Sequence, residues 1–346
     1  MKYDVEKLRA FCENILIHSG LDRNEAAINT DSLIQADLRG ISSHGVTRLR
    51  TYAKRVQTGV VAAGQKPKVL NDSPTTLLID ANNGTGPGIG LQVMDICMER
   101  AGKFGCCFAA VKNANHFGIG AYFSMYAAEK GMIGVAMSNC PASVVPTNGS
   151  KPMFGTNPLS VSVPAGKHPP LVLDMATSVV AQGKVILADK EGKTIPDSWA
   201  VDEEGRPTTD PKKALKGAML PFGGPKGYAI AFIIEVLCST LSGAYHSREI
   251  NNFWTDYENP QNLGYFLGVL DIGKFIPQDI FTERIDKLFD EIKSCPAAPG
   301  CGEVFIPGEI EYRSTVKMLA EGIEISDKIV ADIKELGESF GVIWPF

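Results

Sequence analysis

The spacing of apolar residues changes character twice along this chain, and that double change constrains the fold more than any single motif. Up to about residue 60 the apolar positions recur at helical spacing. Val5, Leu8, Phe11, Cys12 and Ile15 share one stripe, which Gly20 ends. Asp22, with Glu25 three residues on, has the form of a capping box opening a second helix. That helix carries Leu33, Ile34 and Leu38 and stops near Gly40; a third follows His44 and runs through Leu49, Tyr52, Ala53 and Val56 to Gly59. From about Thr75, short apolar runs punctuated by glycine take over. Residues 75–80, 107–112, 132–138, 159–163 and 171–175 read as strands. Helices are expected at 91–101 and 121–130, and further ones after Thr177 and Gly227. Beyond about Asp279 helical spacing returns in Phe281, Ile285, Leu288, Phe289 and Ile292. It pauses over the glycine- and proline-rich residues 296–308 and resumes at 316–322 and 326–336. The expected fold is mixed α/β, of the α+β kind. The terminal segments 1–72 and 279–346 form one discontinuous helical domain, and residues 73–278 form a central α/β domain.

A chain of 346 residues accommodates two such domains. Its net charge of −5 argues against nucleic acid, which calls for a basic patch. The start, Met1-Lys2-Tyr3-Asp4, leads into an amphipathic helix without an apolar leader, so a cytoplasmic location is expected. No apolar run approaches the ~20 residues that span a bilayer. The eight cysteines form no CxxC pair, so reduced thiols are expected and a zinc site is not.

Gly84-Thr85-Gly86-Pro87-Gly88-Ile89-Gly90 follows a strand-like run and precedes a helix, which invites comparison with a dinucleotide-binding loop. No register of these glycines gives GxGxxG, and no acidic residue ends a second strand ~20 residues later. A glycine-rich turn that permits tight backbone geometry is the better reading, and any dinucleotide must be held in another way.

Only five histidines occur, and two stand in stretches suited to proton chemistry: Ser43-His44-Gly45-Val46-Thr47-Arg48 and Asn115-His116-Phe117-Gly118-Ile119-Gly120. A histidine near a helix start feels the positive end of the dipole. That favours the neutral imidazole, which accepts a proton at pH 7. His116 suits this role, although a histidine bracing a loop would look the same. Arg48 and Tyr52 share a helix face near His44. A guanidinium there would grip a carboxylate through two parallel hydrogen bonds. An imidazole beside such an arginine is the kit for reducing a 2-oxo acid. His18, His168 and His246 receive no role. Two further segments open helices and could hold phosphate: Asp174-Met175-Ala176-Thr177-Ser178 and Gly223-Gly224-Pro225-Lys226-Gly227.

Together these stretches resemble the type-2 malate/L-lactate dehydrogenase family of NAD(P)-dependent oxidoreductases. That family also holds ureidoglycolate, sulfolactate and diketogulonate enzymes and a cyclic-imine reductase. The resemblance rests on Ser43-His44-Gly45 with Arg48, Asn115-His116-Phe117-Gly118, Phe154-Gly155-Thr156-Asn157-Pro158-Leu159 and Asp174-Met175-Ala176-Thr177. It continues through residues 195–202, Gly224-Pro225-Lys226-Gly227-Tyr228 and Ile306-Pro307-Gly308-Glu309. It implies a non-Rossmann nucleotide-binding domain around a largely antiparallel sheet, and a homodimer with the site near the subunit contact. It implies His116 as the acid/base group with His44 as competitor, and Arg48 on the substrate carboxylate with Ser43 and Tyr52 nearby. Asp174, Met175, Ala176, Thr177, Lys226, Gly227, Pro307, Gly308 and Glu309 would line the cofactor. NAD is favoured, with NADP open. Cys140-Pro141-Ala142 lacks the acidic residue of ureidoglycolate-type members, which points to a plain 2-hydroxy acid, malate first and lactate next. The arginine that usually follows the glutamate of the 307–309 motif is missing, since Ile310 stands there. Readings from other classes are a metal-dependent hydrolase using His44 and His116 as ligands, and a nucleotide sensor without catalysis.

Overall fold

The computed structural model describes all 346 residues. Strand β1 (Lys2–Tyr3) precedes helices α1 (Val5–Ser19) and α2 (Arg23–Leu38). Two 3-10 turns, Ser42–His44 and Val46–Arg48, then lead into α3 (Leu49–Gln57). The central region holds β2 (Lys68–Asp72), β3 (Thr76–Asp80), α4 (Gly86–Phe104), β4 (Cys106–Ala114), α5 (Ala121–Ala128), β5 (Ile133–Ser138), β6 (Leu159–Val163) and β7 (Leu171–Met175). After it come α6 (Gln182–Glu191), β8 (Ala200–Val201), α7 (Pro211–Lys216), β9 (Ala218–Met219), α8 (Pro225–Glu235) and β10 (Leu263–Leu270). The chain ends with α9 (Gln278–Lys293), α10 (Glu309–Glu321), β11 (Ile323–Glu324) and α11 (Asp327–Ser339).

Seven strands form the main sheet in the order β2-β3-β4-β10-β5-β6-β7. Only β3 and β4 run parallel; the other neighbours are antiparallel. The middle strand, β10, is absent from the sequence reading. Its run Leu263-Gly264-Tyr265-Phe266-Leu267-Gly268-Val269-Leu270 is buried almost throughout, so it lacks the alternation that marks a half-exposed strand. Its glycines answer to packing. A Cβ on Gly264 would lie 1.7 Å from the Cys238 carbonyl oxygen, and one on Gly268 2.3 Å from the Phe108 ring. Helices α4 and α5 pack on this sheet, and Val93, Met94, Cys97, Phe123 and Ala127 join Ile79, Val111, Tyr265 and Leu267 in one core.

The two ends of the chain share a second core. Leu8, Phe11, Ile15, Leu33 and Leu49 from the first helices pack with Ile323, Ile325, Ile333 and Leu336 from the last segment. The pairing of β1 with β11 closes the same junction. Helix α9 lies apart from that core. Its Asp286 accepts the backbone N–H groups of Gly166 (3.0 Å) and Lys167 (2.8 Å), which fastens it to the loop between β6 and β7. Local signals explain the helix starts. Asp22 accepts the Glu25 N–H at 2.8 Å, as a capping box requires. The box is only half made, because the Glu25 carboxylate reaches the Gly64 N–H instead.

The glycine-rich stretch opens α4, and packing accounts for its glycines. A Cβ on Gly86 would lie 2.2 Å from the His116 carbonyl oxygen, and one on Gly90 2.3 Å from the Phe123 ring. Gly86→Ala should therefore lower stability by about 1–3 kcal/mol, read by urea denaturation. Gly183, in α6 with open space around it, is the contrast. Gly183→Ala should leave stability unchanged or raise it by up to about 1 kcal/mol.

Candidate active site

His116 comes two residues after the end of β4, where the chain crosses the start of α4. Its backbone is fixed from both sides. The Asn115 side chain donates to the Asn83 and Gly84 carbonyl oxygens, and the His116 N–H donates to Gln261 Oε1 at 2.9 Å. The imidazole is held as firmly. The Tyr52 hydroxyl meets Nδ1 at 2.8 Å, and the Phe253 ring stacks at 4.6 Å between centroids. His44 lies near-parallel to His116 at 5.6 Å, and Ser43 Oγ bonds to His44 Nδ1 at 3.0 Å. Two histidines from distant motifs thus form one stacked pair, with Tyr52 from α3 closing it. With Nδ1 of His116 committed to Tyr52, Nε2 is the nitrogen left for a reacting group.

Both imidazoles are neutral at pH 7. Burial, with Arg48 adding, pushes His44 down to about 4. Burial also holds His116 well below the usual range, with His44, Arg48 and Arg55 adding to it. The dipole of a following helix is not needed, since α5 begins only at Ala121. Burial pushes the Tyr52 hydroxyl up, so it stays a phenol.

Arg48 ends the second 3-10 turn. Its guanidinium carbon lies 3.7 Å from the centroid of the Trp254 ring, and its buried Nε has no partner. Burial draws it down to about 10, so it remains a cation at neutral pH, and no carboxylate pairs with it. The turn that carries His44 and Arg48 rests on Asp37 of α2. Asp37 Oδ2 accepts the Val46 N–H at 2.8 Å, and its Oδ1 stands 1.9 Å from where a Gly45 Cβ would be. The glycine after His44 thus makes room for this carboxylate.

The residues expected to line a cofactor fall into two neighbouring groups. Asp174 and the 307–308 loop border one cleft of about 300 Å³, with Arg39 and Glu311. Asp174 accepts the Ala121 N–H at 3.0 Å, and burial raises it to about 6. Gly308 has a positive φ of 89° and lies against Val172, whose N–H donates to the Pro307 carbonyl oxygen. Arg39 is buried in this cleft and its Nε has no partner. Met175 and Ala176 are half-buried beyond Asp174, and Thr177 donates to the Thr156 carbonyl oxygen. The Thr177 carbonyl in turn accepts the Phe222 N–H, which brings the 223–227 turn alongside. Gly223 and Gly224 in that turn have positive φ and open space where a Cβ would stand. Lys226 is exposed in the first turn of α8. An uncapped helix start with a free lysine suits a phosphate.

Glu309 departs from expectation. Its carboxylate is taken by Lys293, Arg313 and the Ile306 N–H, so it ties the loop to the ends of α9 and α10 instead of facing the cleft. Arg313, one turn on, pairs with Glu309 where an arginine directly after it is absent. Phe253, Trp254, Gln261, Asp37 and Arg39 also belong to these sites and escaped the sequence reading. Each resembles an ordinary loop or helix residue until the fold brings it in. No group of three or more His, Cys, Asp or Glu side chains stands close enough together to hold a metal ion.

The Asp37 contact makes a pH-dependent prediction. Burial, opposed by the Val46 N–H, raises this carboxyl from its ordinary 3.8 to about 7. The neutral form is favoured in the fold, so the stability it contributes is complete below about pH 4 and is lost as pH rises through about 7. Asp37→Asn removes that loss. Its stability relative to the unaltered protein should climb between pH 4 and 7 by at most ~1.4 kcal/mol per pH unit, measured by denaturant titration across that range. A flat difference would refute it.

A sequence profile described as malate/L-lactate dehydrogenase matches residues 3–334. The chain is 36% identical over 345 residues to a malate dehydrogenase of Pyrococcus horikoshii, covering 97% of this chain and 95% of that protein. It is 35% identical over 336 residues to an L-sulfolactate dehydrogenase of Methanothermobacter thermautotrophicus, covering 96% and 95%. The fold superimposes on a crystal structure of malate dehydrogenase from Entamoeba histolytica with a TM-score of 0.94 at 30% identity, over 100% of this chain and 99% of that one.

Proposed function

The chain belongs to the malate/L-lactate dehydrogenase family, and from that membership we infer that it is an NAD(P)-dependent dehydrogenase of small 2-hydroxy acids. The observation that carries the chemistry is a neutral, half-buried imidazole pair beside a guanidinium that no carboxylate pairs. Nicotinamide, when bound, supplies the hydride chemistry at the substrate's C2. The protein's part is the proton and the carboxylate. In the oxidation His116 Nε2 takes the hydroxyl proton while Nδ1 holds to the Tyr52 hydroxyl. In the reduction the same nitrogen returns a proton to the oxo oxygen. Arg48 grips the carboxylate, with Ser43 and Tyr52 beside it. A carboxylate there offsets the repulsion between Arg48 and a protonated imidazole, so substrate binding itself makes His116 easier to protonate. His44 is the competing proton carrier.

Malate and oxaloacetate are the first pair to test. Lactate, sulfolactate, ureidoglycolate, diketogulonate and cyclic imine carboxylates are the alternatives. The orphaned Arg39 Nε, the open Gly223-Gly224 turn and the uncapped start of α8 with Lys226 support a dinucleotide lying along Asp174–Thr177 and the 307–308 loop. The absence of a GxGxxG spacing and the mostly antiparallel sheet favour a site of other than Rossmann type. NAD is the preferred cofactor, with NADP in the same test. We also read the shared terminal core and the main sheet as two domains. A homodimer is part of the same reading, and the exposed Phe232 and Ile233 on α8 give it an apolar face.

Absorbance of NADH, and separately NADPH, followed with oxaloacetate, pyruvate and a cyclic imine acid, tests the reading. Oxidation with oxaloacetate supports malate and selects the cofactor. Bound NADH with no turnover on any of them overturns the substrate class. His116→Asn should lower kcat by about 10²–10⁴-fold with NADH affinity unchanged; retained turnover would move the role to His44. Because the fold holds both imidazoles neutral, kcat/KM for 2-hydroxy acid oxidation should stay level as pH falls through 6.5. A fall centred on 6.5 would mean that the acting imidazole titrates in its ordinary range and that burial does not depress it.

A further inference from the structure

The segment after Ile250 forms a knuckle over the stacked histidines. Asn252 Oδ1 accepts the N–H groups of Trp254 (2.8 Å) and Thr255 (3.1 Å), and Asp256 Oδ1 accepts those of Glu258 (3.0 Å) and Asn259 (2.9 Å). Arg55, fully buried on α3, latches the knuckle by donating to the Asp256 carbonyl oxygen at 2.6 Å, with a longer contact to the Phe253 carbonyl. The helix that bears Tyr52 and follows Arg48 therefore also holds this loop. As a result two consecutive aromatic rings face the two working groups: Phe253 on His116 and Trp254 on Arg48.

An arginine that must receive a carboxylate has to be held still without losing its charge or its N–H donors. A protein carboxylate would hold it but would neutralise it and occupy the donor edge. An aromatic face holds the guanidinium plane through its quadrupole and leaves the in-plane donors free. We propose that Trp254 is a positioning residue for the substrate's carboxylate end, holding Arg48 flat against its indole face so that the guanidinium edge is free and pre-aligned. Trp254 remains 45% exposed, so it reaches solvent while covering one face of a mostly buried cation. Removing the indole lets water onto that face, loosens the guanidinium and weakens its hold on an anion. The depressed range of Arg48 is consistent with this cover.

The proposal rests on Arg48 as the carboxylate clamp, and its test separates the two. Oxamate, a non-reacting mimic of a 2-oxo acid, is titrated calorimetrically into the NADH-saturated protein. Trp254→Leu should weaken oxamate about ten-fold, and Trp254→Phe, which keeps an aromatic face, about two- to three-fold. NADH affinity should stay unchanged in both, which also reports that the variants fold. With whichever acid is turned over, KM should rise and kcat hold. Unchanged oxamate affinity in Trp254→Leu overturns the proposal. So does an equal loss in the Phe and Leu variants, or a matching loss of NADH affinity, since either marks general packing. Arg48→Lys is run in parallel. If it binds oxamate as tightly as the unaltered protein, or if the unaltered protein binds none, the clamp reading itself fails and the proposal falls with it. If Arg48→Lys weakens oxamate and Trp254→Leu does not, only the role of Trp254 is lost.

Discussion

The bond between the Tyr52 hydroxyl and His116 Nδ1 ties together two parts of the molecule with separate cores. Tyr52 belongs to the core shared by the chain's ends, while His116 follows a strand of the main sheet. Around it, one face of α3 and the turn before it carry Arg48, Tyr52 and Arg55. Each faces something from elsewhere in the chain: Trp254, His116 and the 253–259 carbonyls. The site is a seam, and its geometry depends on the helical part docking on the sheet in one register. Gly86 sets that register from the other side, because α4 starts in direct contact with the His116 backbone.

Burial dominates the electrostatics of this seam. Three arginines lie in or beside it, and each is compensated differently. Arg55 is solvated by backbone carbonyls, Arg39 feels Asp174 and Glu311, and Arg48 has an aromatic face and no carboxylate. The two imidazoles respond by staying neutral. Arg48, a cation beside neutral bases with no protein carboxylate on it, is left free for an anionic ligand. That free guanidinium agrees with the acid substrate that family membership indicates.

How much of this was legible in the sequence depended on whether each signal was local. Strands β6 and β7 are legible to the residue, since each is a short apolar run that opens directly after a proline. The capping aspartate of α2 was equally plain. The middle strand β10 is hard to see in the sequence because burial on both faces removes its alternation, and its glycines serve contacts with Cys238 and Phe108 that only the folded sheet creates. His44, His116 and Arg48 stood out by residue type and spacing, yet nothing local showed that the two rings stack. Phe253 and Trp254 read as ordinary aromatics in a polar loop, because their importance comes from Arg55 on a helix some 200 residues away. Glu309 shows the reverse. Its motif is plain in the sequence, while the partners of its carboxylate, Lys293 and Arg313, are set only by the fold.

The unsatisfied polar atoms point the same way as the charges. Buried donors and acceptors without partners are costly, commonly about 1–3 kcal/mol each, and folded proteins keep few of them. Of the nine such side-chain atoms, five lie at the proposed site and its cleft. Arg48 and Arg55 each leave Nε unpaired, Asn115 leaves Oδ1 and Thr85 leaves Oγ1, while Arg39 leaves Nε in the cleft beside Asp174. The other four belong to neutral hydroxyls, those of Thr30, Ser32, Thr147 and Tyr265. A chain that keeps its unpaired guanidinium nitrogens where an acid and a phosphate-bearing cofactor are proposed to lie has given up folding stability there. Ligand binding can recover it.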